Sequence, residues 1–225
     1  MIIKRMKSFL LINLFFFSGL NLFSQSMAEI FRLLPSDCTP ELDSKQRDTL
    51  LKNGEYILPG GDSMETVKYT ISTSGSPSYL QYEYSFTTGQ RGFLAFELKK
   101  FTRKDGSILF VFSRYGGVPV DAHQQELIVF DYKNKRLIPN KENLLLKEVP
   151  IKHYLKNNPP DSIVSKIKNV MNSSYSLNSE NPNSISFNLF PVVPFEELQK
   201  YILGHTISFT WDGKKFVKKL IIYKE

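Results

Sequence analysis

A single cysteine, Cys38, rules out an internal disulfide, so the fold stands on packing alone whatever the redox state of its compartment. Nothing beside it in the sequence activates the thiol, and it reads as a small buried residue rather than a nucleophile. Histidine is nearly as scarce. His123, His153 and His205 stand apart, none with a second ligand at the spacing of a helix-borne metal site. Asp121 and His123 alone are placed to share a strand face, and the expectation is that no metal is bound. There is no Gly-x-Ser-x-Gly elbow. The pairs Gly60-Gly61 and Gly116-Gly117 lack the Lys-Ser/Thr and the helix that complete a phosphate loop, so they read as turns. No cofactor is implied.

Negative charge is in deficit, with 29 Lys and Arg against 22 Asp and Glu and a formal net charge of +7. Three of those positive residues, Lys4, Arg5 and Lys7, sit at the very start. They precede an apolar run from about Phe9 to Phe23, followed by Ser24 and Ser26 at the spacing of a signal peptidase site. The run is interrupted by Asn13 and Asn21 and falls short of the roughly 20 apolar residues a membrane span needs. It therefore reads as a cleaved leader over residues 1–26, and Cys38 lies too far downstream for a lipid anchor. Its removal takes three positive charges with it. What remains is mildly basic, short of a nucleic-acid signature. The expectation is an exported protein, periplasmic or secreted, with no stable membrane span.

Past the leader, "MAEIFRLLP" places Ile30, Leu33 and Leu34 on one helical face and stops at Pro35. "TPELDSKQRDTLLKNG" offers Thr39 as a cap, Pro40 as first helical residue and Gly54 as terminator. Five segments rich in aromatic and β-branched residues follow: "ETVKYTIST", "SYLQYEYSFTT", "GFLAFELKKFTR", "SILFVFSRY" and "QELIVFDYKN". A two-residue turn at Asp105-Gly106 predicts Phe101 opposite Phe110 and Glu97 opposite Arg114. Leu109 to Phe112 is apolar on both faces, which predicts a central strand with helices on one side. Residues 137–150 read as a connector. Then "PPDSIVSKIKNVM" puts Ile163, Ile167 and Val170 on one stripe, with Asp161 or Ser162 as the cap. "NSSYSLNSENPNS" is turn-rich, "ISFNLFPV" a strand, and "PFEELQKYILG" a short helix from Pro194 to Gly204.

This order predicts an α+β fold, with antiparallel sheets packed against short N-terminal and central helices. Two tandem helix-plus-four-strand units, divided as residues 27–136 and 151–225, or one extended sheet would both satisfy it. The final hairpin turns at Asp212-Gly213. A two-residue turn sets Trp211 opposite Lys214, and a longer loop brings Trp211 to Phe216. Its lysines, Lys214 and Lys215 among them, either form a solvated face that discourages edge pairing or serve as a basic binding surface beside Trp211.

The opening "AEIFRLLPSDCTPELDSKQRDTLL", with Phe31, Leu34-Pro35, Pro40, Leu42, Arg47 and Leu50, resembles the start of a family of secreted Bacteroidales proteins defined by a domain of unknown function. The closing "FTWDGKKFVKK" is similar to that family's tail. The resemblance implies a Gram-negative envelope origin and a single module, and it carries no catalytic residues over.

The second candidate site gathers Arg114, Tyr115, Asp121 and His123 around Gly116-Gly117 at a strand end; a bulge and a wide turn is the structural alternative. A noncatalytic module that binds an envelope protein, peptide or glycan is the leading expectation. An enzyme assembled from dispersed residues, a hydrolase-inhibitor-like protein and a carrier of small apolar ligands are the others. The carrier requires the sheet to curl around a cavity of several hundred Å³.

Overall fold

The computed structural model describes residues 26–39, 42–58, 66–73, 76–86, 92–118, 121–146, 149–156, 159–177, 181–191 and 196–221. The leader up to Gln25, Pro40, Gly60-Gly61 and Pro194 lie outside them. Among the described residues the α-helices are α1 (Met27–Leu33), α2 (Ser44–Asn53), α3 (Asp161–Val170) and α4 (Glu196–Gln199). Seven strands form one antiparallel sheet in chain order: β1 (Glu55–Leu58), β2 (Val67–Ser72), β3 (Tyr79–Phe86), β4 (Phe93–Thr102), β5 (Ile108–Val118), β6 (Asp121–Lys133) and β7 (Arg136–Pro139). A second antiparallel sheet runs β11-β10-β9-β8, from β8 (Met171–Ser176), β9 (Ser184–Pro191), β10 (Thr206–Trp211) and β11 (Phe216–Ile221).

The α+β class with antiparallel sheets is as the composition predicts, but the strand count of the first sheet is seven rather than five. β1 is four residues long and follows α2 at once, too short to carry a period. β7 takes up the first residues of the segment read as a connector, after a tight turn in which Asn134 and Lys135 both have positive φ. The helix starts also differ. α2 begins at Ser44, not at Pro40, because Asp43 and Gln46 form a reciprocal capping box that satisfies two free N–H groups. Thr39 instead closes the 3-10 turn Ser36–Cys38. α3 starts with Asp161 already helical after Pro160, which has no capping side chain, so neither Asp161 nor Ser162 is the cap. The Asp161 carboxylate sits where the helix dipole favours negative charge. α4 stops at Gln199, well before Gly204, as the chain turns to pair Ile202 with Leu155.

The β4–β5 hairpin shows how one residue decides a face. Arg103 N donates to Ser107 O and Gly106 N to Arg103 O, so the loop holds three residues with Gly106 left-handed, not two. Phe101 therefore pairs with Leu109 and Phe96 with Arg114, one position from the two-residue expectation. Since strand side chains alternate, that slip sends Phe101 and Phe110 to opposite faces. Phe110 and Phe112 lie against Ile30, Phe31 and Leu50 of the helices. Leu109, Val111 and Phe101 join Tyr175, Phe187 and Trp211 of the second sheet. The first sheet is thus a central layer, with α1 and α2 on one face and the second sheet on the other.

The second sheet alternates cleanly. Tyr175, Phe187 and Ile207 stand abreast and buried, while Ser176, Ser186 and Ser208 stand abreast on the opposite face. Its edge strand β8 is not left open. Gln124 Oε1 accepts from Tyr175 N at 2.9 Å and Glu97 Oε2 from Leu177 N at 2.9 Å, so side chains of the first sheet satisfy the edge.

Phe112 is fully buried, its ring tilted against that of Phe96 with centres 6.3 Å apart. Phe112→Ala is expected to lower unfolding free energy by about 3–5 kcal/mol in urea titration. Val217→Ala, at an exposed position, is expected to stay within about 0.5 kcal/mol.

Candidate functional site

Gly116-Gly117 is not a turn. β5 runs through both residues to Val118, which pairs with Asp121 across the hairpin, and the irregularity is a bulge between Arg114 and Tyr115. The extra residue is Gln125 on β6, and on β5 Gly116, at φ +154°, leaves no room for a Cβ, which would run into the Phe93 carbonyl oxygen and Leu94 Cα of β4. Register then divides the predicted cluster. Arg114 and Gly116 pair with Glu126 and His123 on the helix-covered side, and Tyr115 points to the other. Arg114 NH2 lies 3.2 Å from Glu126 Oε2, and its NH1 donates to Asp37 O at 3.1 Å, so the guanidinium ties the 3-10 turn to the sheet. The Tyr115 ring packs against Phe93 at 5.8 Å and Phe190 at 5.9 Å, and burial raises its pKa. His123 is exposed at the strand end.

Trp211 is an anchor of the core rather than a surface ring. It is buried, lies 4.9 Å from Phe216 and 6.1 Å from Phe101 by ring centres, and donates Nε1–H to Thr102 O at 2.8 Å. The longer of the two loops is the one adopted, pairing Trp211 with Phe216. Asp212 Oδ1 accepts from the backbone N–H of both Lys214 and Lys215 at 2.8 Å, which lowers the carboxyl pKa. Lys214 and Lys215 themselves are exposed. Lys104 N donates to Gly213 O at 3.1 Å, joining the tips of the two hairpins.

Cys38 is buried, and desolvation first, then the charge of Glu126, pushes its thiol up to about 12. No thiolate is present near neutral pH. Among the described residues no group of three or more His, Cys, Asp and Glu gathers as a metal site.

Two features were not singled out from the sequence. The first is Lys99, which shares a sheet face with Phe101 and is only 2% exposed. Its ammonium donates to Leu177 O at 2.8 Å and Ser184 O at 2.6 Å, at the β8–β9 connection. Burial lowers its pKa to about 8, opposed by the charge of Glu97. The alternation of "FLAFELKKFT" carried this signal, because Phe101 facing inward obliges Lys99 to do the same.

The second is an open cavity of about 540 Å³ beside α3. Val149, Ile151, Val164, Met171 and Leu189 supply its aliphatic lining, and Ser173 a hydroxyl. Lys152 and Lys168 also line it, and both are exposed to solvent. These residues come from the 3-10 turn Ile151–Tyr154 and its approach, from α3, and from β8 and β9. Val164 and Lys168 are one helical turn apart on the same face of α3. Next to Lys152, His153 has its Nδ1 3.3 Å from Lys218 Nζ. Its pKa is lowered by desolvation and then by the charges of Lys218 and Lys152, which marks a locally positive field.

The class is therefore an α+β protein of two antiparallel sheets with a half-open cavity at the second. A solved domain of an uncharacterized protein from Porphyromonas gingivalis W83 is similar to it, with a TM-score of 0.58 at 13% identity over 87% of this chain and 98% of that one. At that identity the likeness is one of fold. No protein-family model matches the chain, and no curated protein matches it.

The Lys99 amine is expected to titrate with a midpoint of about 8 by NMR, against the ordinary 10.5. Between those values the unfolded chain keeps a proton that the folded chain has released, so the contribution of this group to stability rises with pH across the window. Lys99→Met is expected to remove that rise from urea titrations at pH 8 to 10.5; an unchanged slope would place the amine in water.

Proposed function

We propose that the protein is an exported, noncatalytic binding module whose ligand enters the cavity beside α3. The cavity carries the reading. At about 540 Å³ it falls in the roughly 300–1,000 Å³ range of small-ligand sites and combines an apolar lining with a few polar groups. The carrier expectation asked for a cavity of this size, although this one lies between helix, turn and strands rather than inside a curled sheet.

The groups an enzyme would use point the other way. The Cys38 thiol is buried and raised in pKa, Arg114 is engaged with Glu126 and Asp37, and Tyr115 faces away from both. Export rests on the leader, whose basic start and apolar run are those of a secretory signal. The Porphyromonas neighbour supports an origin in the same bacterial order as the family its two ends resemble.

The test expresses the full chain, purifies the product as processed by the host and exposes it to an envelope extract. Native mass spectrometry is expected to find a retained small molecule on the wild type and none on Val164→Trp, whose indole obstructs the α3 wall of the cavity. Equal retention by both proteins would reject the cavity as the site.

A further inference from the structure

The residues around the cavity define the ligand more narrowly than its volume does. The body of the site is aliphatic: Val149, Ile151, Val164, Met171 and Leu189 line it with no aromatic ring among them. Such a lining has no flat face on which a planar ligand stacks, and the unbranched Met171 adapts to a flexible chain. Apart from the Ser173 hydroxyl, the polar side chains in the lining are two ammonium groups, Lys152 and Lys168. They reach it from different elements, the 3-10 turn and α3, and both are exposed. The positive character extends beyond them. Residues 149–171 hold four lysines against one aspartate, and Lys218 adds a fifth ammonium beside His153.

We infer that the cavity takes an anionic amphiphile, a single aliphatic chain ending in a carboxylate, with the chain against Val149, Val164, Met171 and Leu189 and the carboxylate between Lys152 and Lys168. The inference rests on the cavity being the binding site. An ammonium on a long methylene stem suits this arrangement, because its carbons cover apolar surface while the charge stays at the water boundary. A neutral alcohol of the same length gains the same apolar burial and none of the ion pairing.

The test titrates the processed protein with dodecanoate, dodecanol and a short leucine-valine peptide bearing a free C-terminal carboxylate, all below their aggregation limits. Dodecanoate is expected to bind about tenfold tighter than dodecanol, and the double variant Lys152→Glu/Lys168→Glu to lose about tenfold for dodecanoate alone. Val164→Trp, with an unchanged circular dichroism spectrum, is expected to block both. Equal affinity for acid and alcohol, both lost in Val164→Trp, would overturn the headgroup assignment and leave the cavity reading intact. Tighter binding of the peptide would overturn the acyl chain as the ligand class. Dodecanoate binding that survives Val164→Trp would overturn both the inference and the cavity reading. Failure of all three probes to bind would overturn the inference, while the extract experiment decides the cavity reading separately.

Discussion

Burial of β5 on both faces is the constraint from which the rest of the architecture follows. A strand presents alternate residues to opposite sides, so Leu109 and Val111 demand one apolar partner layer while Phe110 and Phe112 demand another. The N-terminal helices supply the first partner for the phenylalanines, and the four-stranded sheet supplies the second. Without both layers one of the two faces would lie in water. The three-residue loop at Lys104 to Gly106 selects which residues meet which layer, since it sets the β4 register by a single position.

The two layers are attached by different physics. On the helix side the contact is largely aromatic and aliphatic, with Tyr82 stacked on Phe96 at 4.3 Å and Phe31 edge-on to Tyr82 at 5.1 Å. Arg47 adds bonds from its guanidinium to the carbonyl oxygens of Arg32, Leu34 and Leu42, holding the chain between the helices. On the other side, Lys99, Glu97 and Gln124 reach from the first sheet to backbone groups of β8 and its connection. These bonds are directional, and apolar contact alone is not. A buried ammonium carries a desolvation cost, and the carbonyl oxygens of Leu177 and Ser184 offset it by fixing where the second sheet sits.

The candidate sites separate according to how local their signals are. Trp211 and Phe216 meet because one hairpin places them together, and the aromatic cluster was legible from the Asp-Gly turn. Arg114, Tyr115 and His123 are near in sequence, yet the bulge at Arg114 and the pleat of β5 divide them between faces. Proximity along a strand is a poor guide to proximity around a site, because neighbours alternate. The cavity had no local signal. Val149 lies in the segment read as a connector and Val164 off the stripe of Ile163, Ile167 and Val170, and only their convergence with Met171 and Leu189 makes a hollow.

By itself the sequence determined the α+β class, the order of helices and most strands, and the absence of an internal disulfide, because composition, periodicity and turn residues act over a few positions. It also determined that Leu109 to Phe112 lies inside a sheet, since no polar residue interrupts the run. Tertiary structure alone decided the registers, the carbonyl partners of Lys99, the anchoring role of Trp211 and the existence of the cavity. Each depends on loop geometry to one residue or on surfaces contributed by segments far apart in the chain, and neither quantity is encoded in any short window of residues.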